Sequence, residues 1–105
     1  MLGEFEQLVL MAVMRVGDDA YGVPVHAELK RRTGRNPSVA GVYKAMERLT
    51  EKGFLSVRVG PPTAERGGRR KQLYTVTGAG RKELRASLGD IRRMAHGLDV
   101  GLEPS

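Results

Sequence analysis

PSVAGVYKAMERLTEKG, at positions 37–53, is the stretch that decides the fold of this chain. Both ends of a helix are marked in this stretch. At the start, the Ser38 hydroxyl can accept hydrogen bonds from the free N–H groups of the first helical turn. At the end, Gly53 can adopt the left-handed conformation that terminates a helix. Between them, apolar residues step by three, four and three, which places them on one helical face. They are Val39, Val42, Met46 and Leu49. An amphipathic α-helix is therefore predicted here.

The opposite face of this helix is small at its start and basic further on, with Ala40, Gly41, Lys44, Ala45 and Arg48. Such a helix can approach a DNA groove closely, and its cations can reach phosphates or base edges. The residues expected to face the major groove are Ser38, Gly41, Tyr43, Lys44 and Arg48. Tyr43 borders the apolar stripe and is expected to lie partly in the core. A solvated amphipathic helix would show the same pattern, so the neighbouring segments have to decide.

Two helices are predicted before this stretch from apolar residues at helical spacing, over about Glu4 to Val16 and over Tyr21 to Arg32. The short segment 33–37 contains both glycine and proline and is expected to stop the second helix. Two helices joined by so short a turn, the second with a basic exposed face, make a helix-turn-helix pattern.

After Gly53 the apolar period changes to two, which predicts a strand with Leu55, Val57 and Val59 on one side. The prolines at 61 and 62 are expected to end that strand, and a second β-rich run covers 73–76. The intervening tip is rich in arginine and can follow a phosphate backbone or insert an arginine in the minor groove. A solvated mobile loop is the alternative. The candidate DNA-binding residues of the tip are Arg66, Gly67, Arg69, Arg70 and Lys71.

A last helix is predicted after Thr77, which can cap it. Its apolar positions step by four, three, four and three, the spacing of a coiled-coil seam. This seam is short enough to pack on its own domain. Because three helices and a hairpin already supply a core, we expect a partner helix from a second subunit instead. The residues expected at the dimer interface are Leu84, Leu88, Ile91, Ala95 and Leu98, with Phe5, Leu8, Val9 and Ala12 from the wide apolar face of the first helix.

Length, composition and charge limit the size of the fold and the kind of partner. A chain of 105 residues, 40% hydrophobic, suits one small folded domain, and a net charge of +6 favours a polyanionic partner such as double-stranded DNA. The absence of cysteine excludes disulfides and thiolate metal sites. No apolar run of membrane-spanning length and no basic segment ahead of a hydrophobic stretch is present, so we expect no membrane association and a cytoplasmic location.

The order of elements predicts a mainly α fold with a small β-hairpin. We assign residues 1–77 to a winged helix-turn-helix domain for DNA binding, residues 78–98 to a dimerisation helix and residues 99–105 to a flexible tail.

The chain also resembles the PadR-like family of transcriptional regulators, up to about Arg85. The resemblance rests on the order and spacing of several short stretches. These are Leu2-Gly3, Asp19-Ala20-Tyr21-Gly22, Ser38-Val39-Ala40-Gly41-Val42-Tyr43, Leu49-Thr50-Glu51-Lys52-Gly53-Phe54-Leu55, Gly67-Gly68-Arg69-Arg70-Lys71 and Tyr74-Thr75-Val76-Thr77-Gly78-Ala79-Gly80.

This resemblance implies a dimeric bacterial DNA-binding protein, usually a repressor acting on palindromic operators and often released by a small hydrophobic or phenolic effector. By length the chain looks like the short subgroup, which has a single C-terminal helix. Some members of that subgroup hold flat aromatic drugs with a tryptophan on the last helix, and this chain contains no tryptophan.

Two other functions fit the sequence less well. An enzyme is disfavoured because His26 and His96 lie on different predicted helices and neither belongs to a catalytic or metal-ligand pattern. We therefore expect no catalytic residue, no metal and no cofactor. A winged-helix module for protein–protein interaction would use the same fold without reading DNA, and the arginine-rich tip counts against it.

Overall fold

A computed structural model describes residues 2–62 and 70–101 of the chain. The elements follow in the order α1 (Glu4–Val16), α2 (Gly22–Thr33), α3 (Val39–Glu51), β1 (Leu55–Pro62), β2 (Arg70–Val76) and α4 (Gly78–Ala95), with a short 3-10 turn between α1 and α2. The two strands pair antiparallel as a hairpin. This order confirms the predicted mainly helical fold with a small hairpin and a long C-terminal helix.

Helix α3 forms as its capping residues predict. The Ser38 hydroxyl accepts a hydrogen bond from the Gly41 N–H at 2.9 Å, and Gly53 follows the helix with a φ of +81°, a conformation that favours glycine. The predicted buried stripe is wrong at two positions. Val39 is 45% exposed, whereas Ala45 is fully buried. Val39 is the first residue of the helix and stays exposed there. Because α3 packs against both α1 and α2, its buried face is shifted toward Ala45.

The core lies between the first three helices and is closed by the hairpin and the start of α4. Its largest fully buried side chains include Leu10 of α1, Val25 of α2, and Met46 and Leu49 of α3. Each such side chain contributes about 1.5–3 kcal/mol on leaving water. This packing fixes how α3 is presented, because α2 and α3 are both held against α1.

Both strands of the hairpin extend further toward its tip than predicted. Strand β1 runs through the two prolines to Pro62, which pairs with Arg70, and the register shifts between Val59 and Pro62. A strand tolerates proline at such an irregularity. It also tolerates proline on an edge that pairs with no other strand, and each strand of a two-stranded sheet has one such edge. At the base of the hairpin, the Tyr74 N–H donates to the Ala20 carbonyl at 2.8 Å, which ties β2 to the segment before α2. Val57 and Val59 are exposed because they lie further along the hairpin, beyond the core.

Helix α4 is anchored at its start and then leaves the domain. The Thr77 hydroxyl accepts from the Gly80 N–H at 3.0 Å and donates to the Gly53 carbonyl at 2.7 Å. A Cβ on Gly80 would lie 2.3 Å from the Phe54 carbonyl oxygen, so only glycine permits this approach to the start of β1. Further along, Met94 is 79% exposed, and the molecule measures 54 × 27 × 21 Å.

Helix α4 is shorter than predicted and does not include the last apolar residue of the predicted seam. The helix ends at Ala95, so Leu98 lies beyond it and cannot continue a helical stripe. Within the described residues, none of the helices combines the length and the apolar character needed to cross a bilayer.

Candidate nucleic-acid interface

Helix α3 presents one face to solvent between α2 and the hairpin. The exposed residues of this face, which we call the α3 outward face, are Ala40, Tyr43, Lys44, Glu47, Arg48 and Glu51. Lys44 lies on it as predicted and makes no hydrogen bond or ion pair with any residue in the ranges 2–62 and 70–101. Ser38 and Gly41 lie at its N-terminal end, where they are joined by the capping hydrogen bond. Nothing in the described part of the chain therefore occupies the ammonium group of Lys44.

Arg48 is placed differently from Lys44. Its Nε lies 3.8 Å from Oε2 of Glu6, whose side chain is only 10% exposed. Lys52 reaches the same carboxylate with Nζ–Oε distances of 2.9 and 3.1 Å. Burial alone would raise the pKa of Glu6, but the hydrogen bonds from Lys52 and the Gly3 N–H and the charges of Lys52 and Arg48 outweigh it and lower that pKa. Arg48 thus lies on the α1 side of α3, where it helps to hold the two helices together.

The basic face predicted for α3 needs correction. Ala45 is buried, Arg48 is partly neutralised by Glu6, and the remaining exposed charges are those of Lys44, Glu47 and Glu51. The helix itself is therefore close to electroneutral, and most of the net positive charge of the chain lies outside it.

Tyr43 is partly a packing residue, as predicted. A Cβ on Gly22 would lie 2.1 Å from Cζ of the Tyr43 ring, so the ring occupies the space that any other residue at position 22 would need. Tyr43 remains 37% exposed. The pairing of Gly22 on α2 with Tyr43 on α3 sets how closely the two helices of the helix-turn-helix approach.

His26 was missed as a structural residue by the sequence reasoning, which considered it only for catalysis. Its Nε2 lies 2.7 Å from the Pro37 carbonyl oxygen, the residue directly before the Ser38 cap. This hydrogen bond connects α2 to the turn that leads into α3. The ring nitrogen and the carbonyl lie 11 positions apart in the chain, so nothing local in the sequence reveals their contact.

The described part of the hairpin adds further positive charge to the domain. Arg58 on β1 and Arg70 on β2 are exposed. Nζ of Lys71 lies 4.3 Å from the ring centroid of Tyr21, a cation–π contact that holds this lysine against the start of α2. Arg70 and Lys71 belong to β2 and not to the loop in which they were predicted. Arg66, Gly67 and Arg69 lie outside the described residues.

Tyr74 connects the hairpin base with the α3 outward face. Burial raises the pKa of the Tyr74 phenol, and the negative charge of Glu47 and the neighbouring Tyr43 raise it further. Its hydroxyl donates to Oε1 of Gln72 at 3.2 Å. Glu47 and Tyr43 therefore lie toward the hairpin edge of the α3 outward face, whereas Arg48 lies toward its α1 edge.

The predicted dimer residues other than Leu98, which lies beyond the end of α4, divide into three groups. Val9, Ala12 and Leu84 are buried in the core of their own chain, which corrects the expectation that they face a second subunit. Phe5, Leu8 and Leu88 are half-buried against that core. Ile91 is exposed on α4, and Ala95, at the end of the helix, is partly so. The sequence pattern could not separate these groups, because the first half of α4 packs on α1 while the second half has left the domain.

These features define a winged helix-turn-helix domain, in which α2 and α3 form the helix-turn-helix and the β1–β2 hairpin forms the wing. The sequence profile of the transcriptional regulator PadR-like family matches residues 9–86, and the chain belongs to that family. A comparison with curated proteins gave no match.

Solved structures share this fold. Bacillus subtilis PadR, crystallised in complex with operator DNA, is 21% identical over 97% of this chain, with a TM-score of 0.68. This chain spans about half of that protein, 53% of its length. A transcriptional regulator from Clostridium thermocellum is 17% identical, with a TM-score of 0.72, and the match covers 93% of this chain and 92% of the other. A PadR family regulator from Eggerthella lenta is 22% identical, with coverages of 90% and 81% and a TM-score of 0.68.

Proposed function

We propose that this protein is a dimeric transcriptional repressor that binds palindromic operator DNA in the cytoplasm and is released by a small hydrophobic or phenolic effector. The main support for DNA binding is the α3 outward face. It is exposed, begins with the small residue Ala40, and carries Lys44, which has no partner among residues 2–62 and 70–101. The wing adds the exposed cations Arg58 and Arg70. A helix of this shape fits a major groove, and the wing is then positioned to contact the adjacent phosphates.

The dimer is supported by the free end of α4. Ile91 and Met94 are exposed there, and large apolar side chains clustered on a projecting helix favour a second copy of the same surface. A two-fold dimer presents two α3 helices related by the same axis. Its binding site is therefore a palindrome whose half-sites lie about one helical turn of DNA, roughly 34–36 Å, apart.

An effector site is supported by a groove of about 270 Å³ between the end of α1 and α4. Leu84, Leu88 and Met14 provide apolar walls, and arginines surround them at 81, 85 and 92. This combination suits a small apolar molecule with an acidic or phenolic group. Because α4 also carries the proposed dimer contact, a ligand here would alter the separation of the two α3 helices.

The experiment that tests the function is selection of bound duplexes from a randomised DNA pool by the purified protein. We expect a palindromic motif whose half-site spacing matches one helical turn. Enrichment of no motif, together with equal affinity for unrelated duplexes, would contradict sequence-specific regulation. Addition of 4-hydroxybenzoate to the complex with the selected duplex then tests release, and a complex whose affinity does not change argues against a phenolic effector.

A further inference from the structure

Glu47 stands out on the α3 outward face because it does not help to attract DNA. It lies opposite the buried positions Val42, Met46 and Leu49, near the middle of the helix, and its side chain is exposed. No hydrogen bond or ion pair joins it to another residue of the described ranges. Lys44, one turn before it, is close enough in sequence to pair with it, yet the two do not form a salt bridge.

The position of Glu47 on α3 is also defined by its neighbours. It lies four positions after Tyr43, which places both on the same side of the helix, near Tyr74 at the base of the hairpin. Tyr43, one turn earlier on the same side, is fixed in place by its packing on Gly22. Glu47 therefore projects from a well-supported part of the helix, between the packed Tyr43 ring and the wing.

A carboxylate on a DNA-facing helix has a specific energetic consequence. The phosphates that flank the major groove repel it, so it weakens binding to every sequence unless a base edge donates a hydrogen bond to it. In the major groove, cytosine presents its N4 amino donor, and Glu is a matching acceptor. Adenine presents its N6 donor beside the N7 acceptor, a pair that suits the amide of Asn or Gln better than a carboxylate.

We propose that Glu47 is a specificity-determining residue that accepts a hydrogen bond from the N4 amino group of one cytosine in each half-site. The proposal rests on the proposed DNA-binding function and adds a particular base to it. It predicts that Glu47 lowers affinity for random DNA while it raises discrimination at one position, two effects of opposite sign from a single side chain.

The test is a parallel selection from a randomised duplex pool with the wild type and with Glu47→Gln. For the wild type, we expect a cytosine at one position of each half-site. For Glu47→Gln, we expect the cytosine preference at that position to fall about fivefold or more, with adenine gaining, because Gln suits the adenine edge. The affinity of the variant for random duplexes should rise, since a negative charge has been removed.

Glu51→Gln is the matched control, because Glu51 is an exposed carboxylate one turn further along the same face. It should also raise affinity for random duplexes but leave the cytosine preference unchanged. A second measurement replaces the cytosine of the selected duplex by 2-pyrimidinone, which lacks the N4 amino group. The wild type should lose about fivefold or more in affinity, whereas Glu47→Gln should lose little.

The outcomes separate this inference from the function on which it rests. If the wild type selects a palindrome and Glu47→Gln selects the same one with the same preferences, the role of Glu47 is refuted while the regulator function stands. Equal losses of affinity for the 2-pyrimidinone duplex in both proteins would refute it in the same way. A wild type that selects no motif refutes both.

Discussion

Lys44 is the residue on which the proposed reading of DNA by α3 depends most directly. Its ammonium has no partner among the described residues, so removing it leaves no buried charge behind and should not disturb the fold. We expect Lys44→Ala to weaken binding to the selected duplex by about 1–3 kcal/mol and to relax the preference at one position. Fluorescence anisotropy with selected and random duplexes measures both effects. Lys82→Ala, which removes an exposed charge from α4, is the control and should change neither.

Arg48 is expected to matter less for base reading than Lys44, because it also lies near the Glu6 carboxylate. If Lys44→Ala and Arg48→Ala both leave affinity and sequence preference unchanged, α3 is not the reading helix.

Glu6 makes the stability of the domain dependent on pH. Because its pKa is lowered in the folded protein, it stabilises the fold above the ordinary value of 4.5, and this contribution disappears as the pH falls through the lowered pKa. We expect Glu6→Gln to reduce the free energy of unfolding by about 1–2 kcal/mol at neutral pH, a value reduced for the partial exposure of Lys52. Urea denaturation at neutral pH and at several values below 4.5 tests this.

The difference between Glu6→Gln and the wild type should shrink as the pH falls in that range. The control is Glu4→Gln, since Glu4 is 72% exposed and pairs with Arg35 at the surface. Glu4→Gln should lower the free energy of unfolding by less than about 1 kcal/mol. A Glu6→Gln variant that differs from the wild type by the same amount at every pH would contradict the lowered pKa.

At the scale of elements, the packing of α2 on α3 depends on the absence of a side chain at Gly22. A methyl group there would overlap the Tyr43 ring, so we expect Gly22→Ala to destabilise the protein by about 1–3 kcal/mol. Tyr43→Ser removes the ring, and the same Gly22→Ala change should then cost much less. A double-mutant cycle measured by urea denaturation gives the coupling between the two positions. Additive effects would show that the ring and the glycine do not constrain each other.

The wing is expected to contribute affinity rather than sequence choice. Arg70 is exposed at the start of β2, and Arg69 precedes it. Each phosphate neutralised contributes about 0.9 to the slope of log K against log salt, and a dimer has two wings, so Arg69→Ala with Arg70→Ala should make the slope shallower by up to about four units. Anisotropy titrations at several salt concentrations measure it. Specific and random DNA should be weakened alike.

The control for the wing is Lys82→Ala with Arg85→Ala, which removes the same charge from α4 and should keep the wild-type slope. A wing variant that keeps the wild-type slope would refute the phosphate contact. A variant that loses its preferred sequence but binds random DNA as before would show that the wing reads bases.

At the scale of the whole molecule, the structure changes which residues should be mutated to test the dimer. Leu88 is half-buried against its own core, so an acid there would disturb folding as well as association. Ile91 and Met94 are exposed, and replacing both by Asp should give a folded monomer with much weaker DNA binding, because one half-site contact is lost. Analytical ultracentrifugation measures the association state. Val59→Asp, an equally exposed apolar position on the wing, should remain a dimer.

A wild type that sediments as a monomer at micromolar concentration would contradict the dimer. A dimer that persists in the Ile91→Asp, Met94→Asp variant would instead place the interface elsewhere, and the half-buried side of α1 with Phe5 and Leu8 would be the next surface to change.

The sequence alone determined the elements and their order. The Ser38 cap, the Gly53 stop and the Thr77 cap are local signals, because each depends on hydrogen bonds or backbone angles within a few residues. The change of apolar period after Gly53 likewise located the hairpin. These local signals were sufficient for the fold class and, with the spacing of the motifs, for the family.

Only the tertiary structure decided which side chains remain available. Helical periodicity places Val39 and Ala45 within one helix but does not say how far α1 and α2 cover it, so the buried face was misplaced by part of a turn. In the same way, the apolar seam of α4 is continuous in sequence, but its first half packs on the domain and its second half is exposed. Arg48 was assigned to DNA because its partner Glu6 lies 42 positions earlier in the chain. Burial and pairing between distant segments depend on packing in three dimensions, which the order of residues does not express.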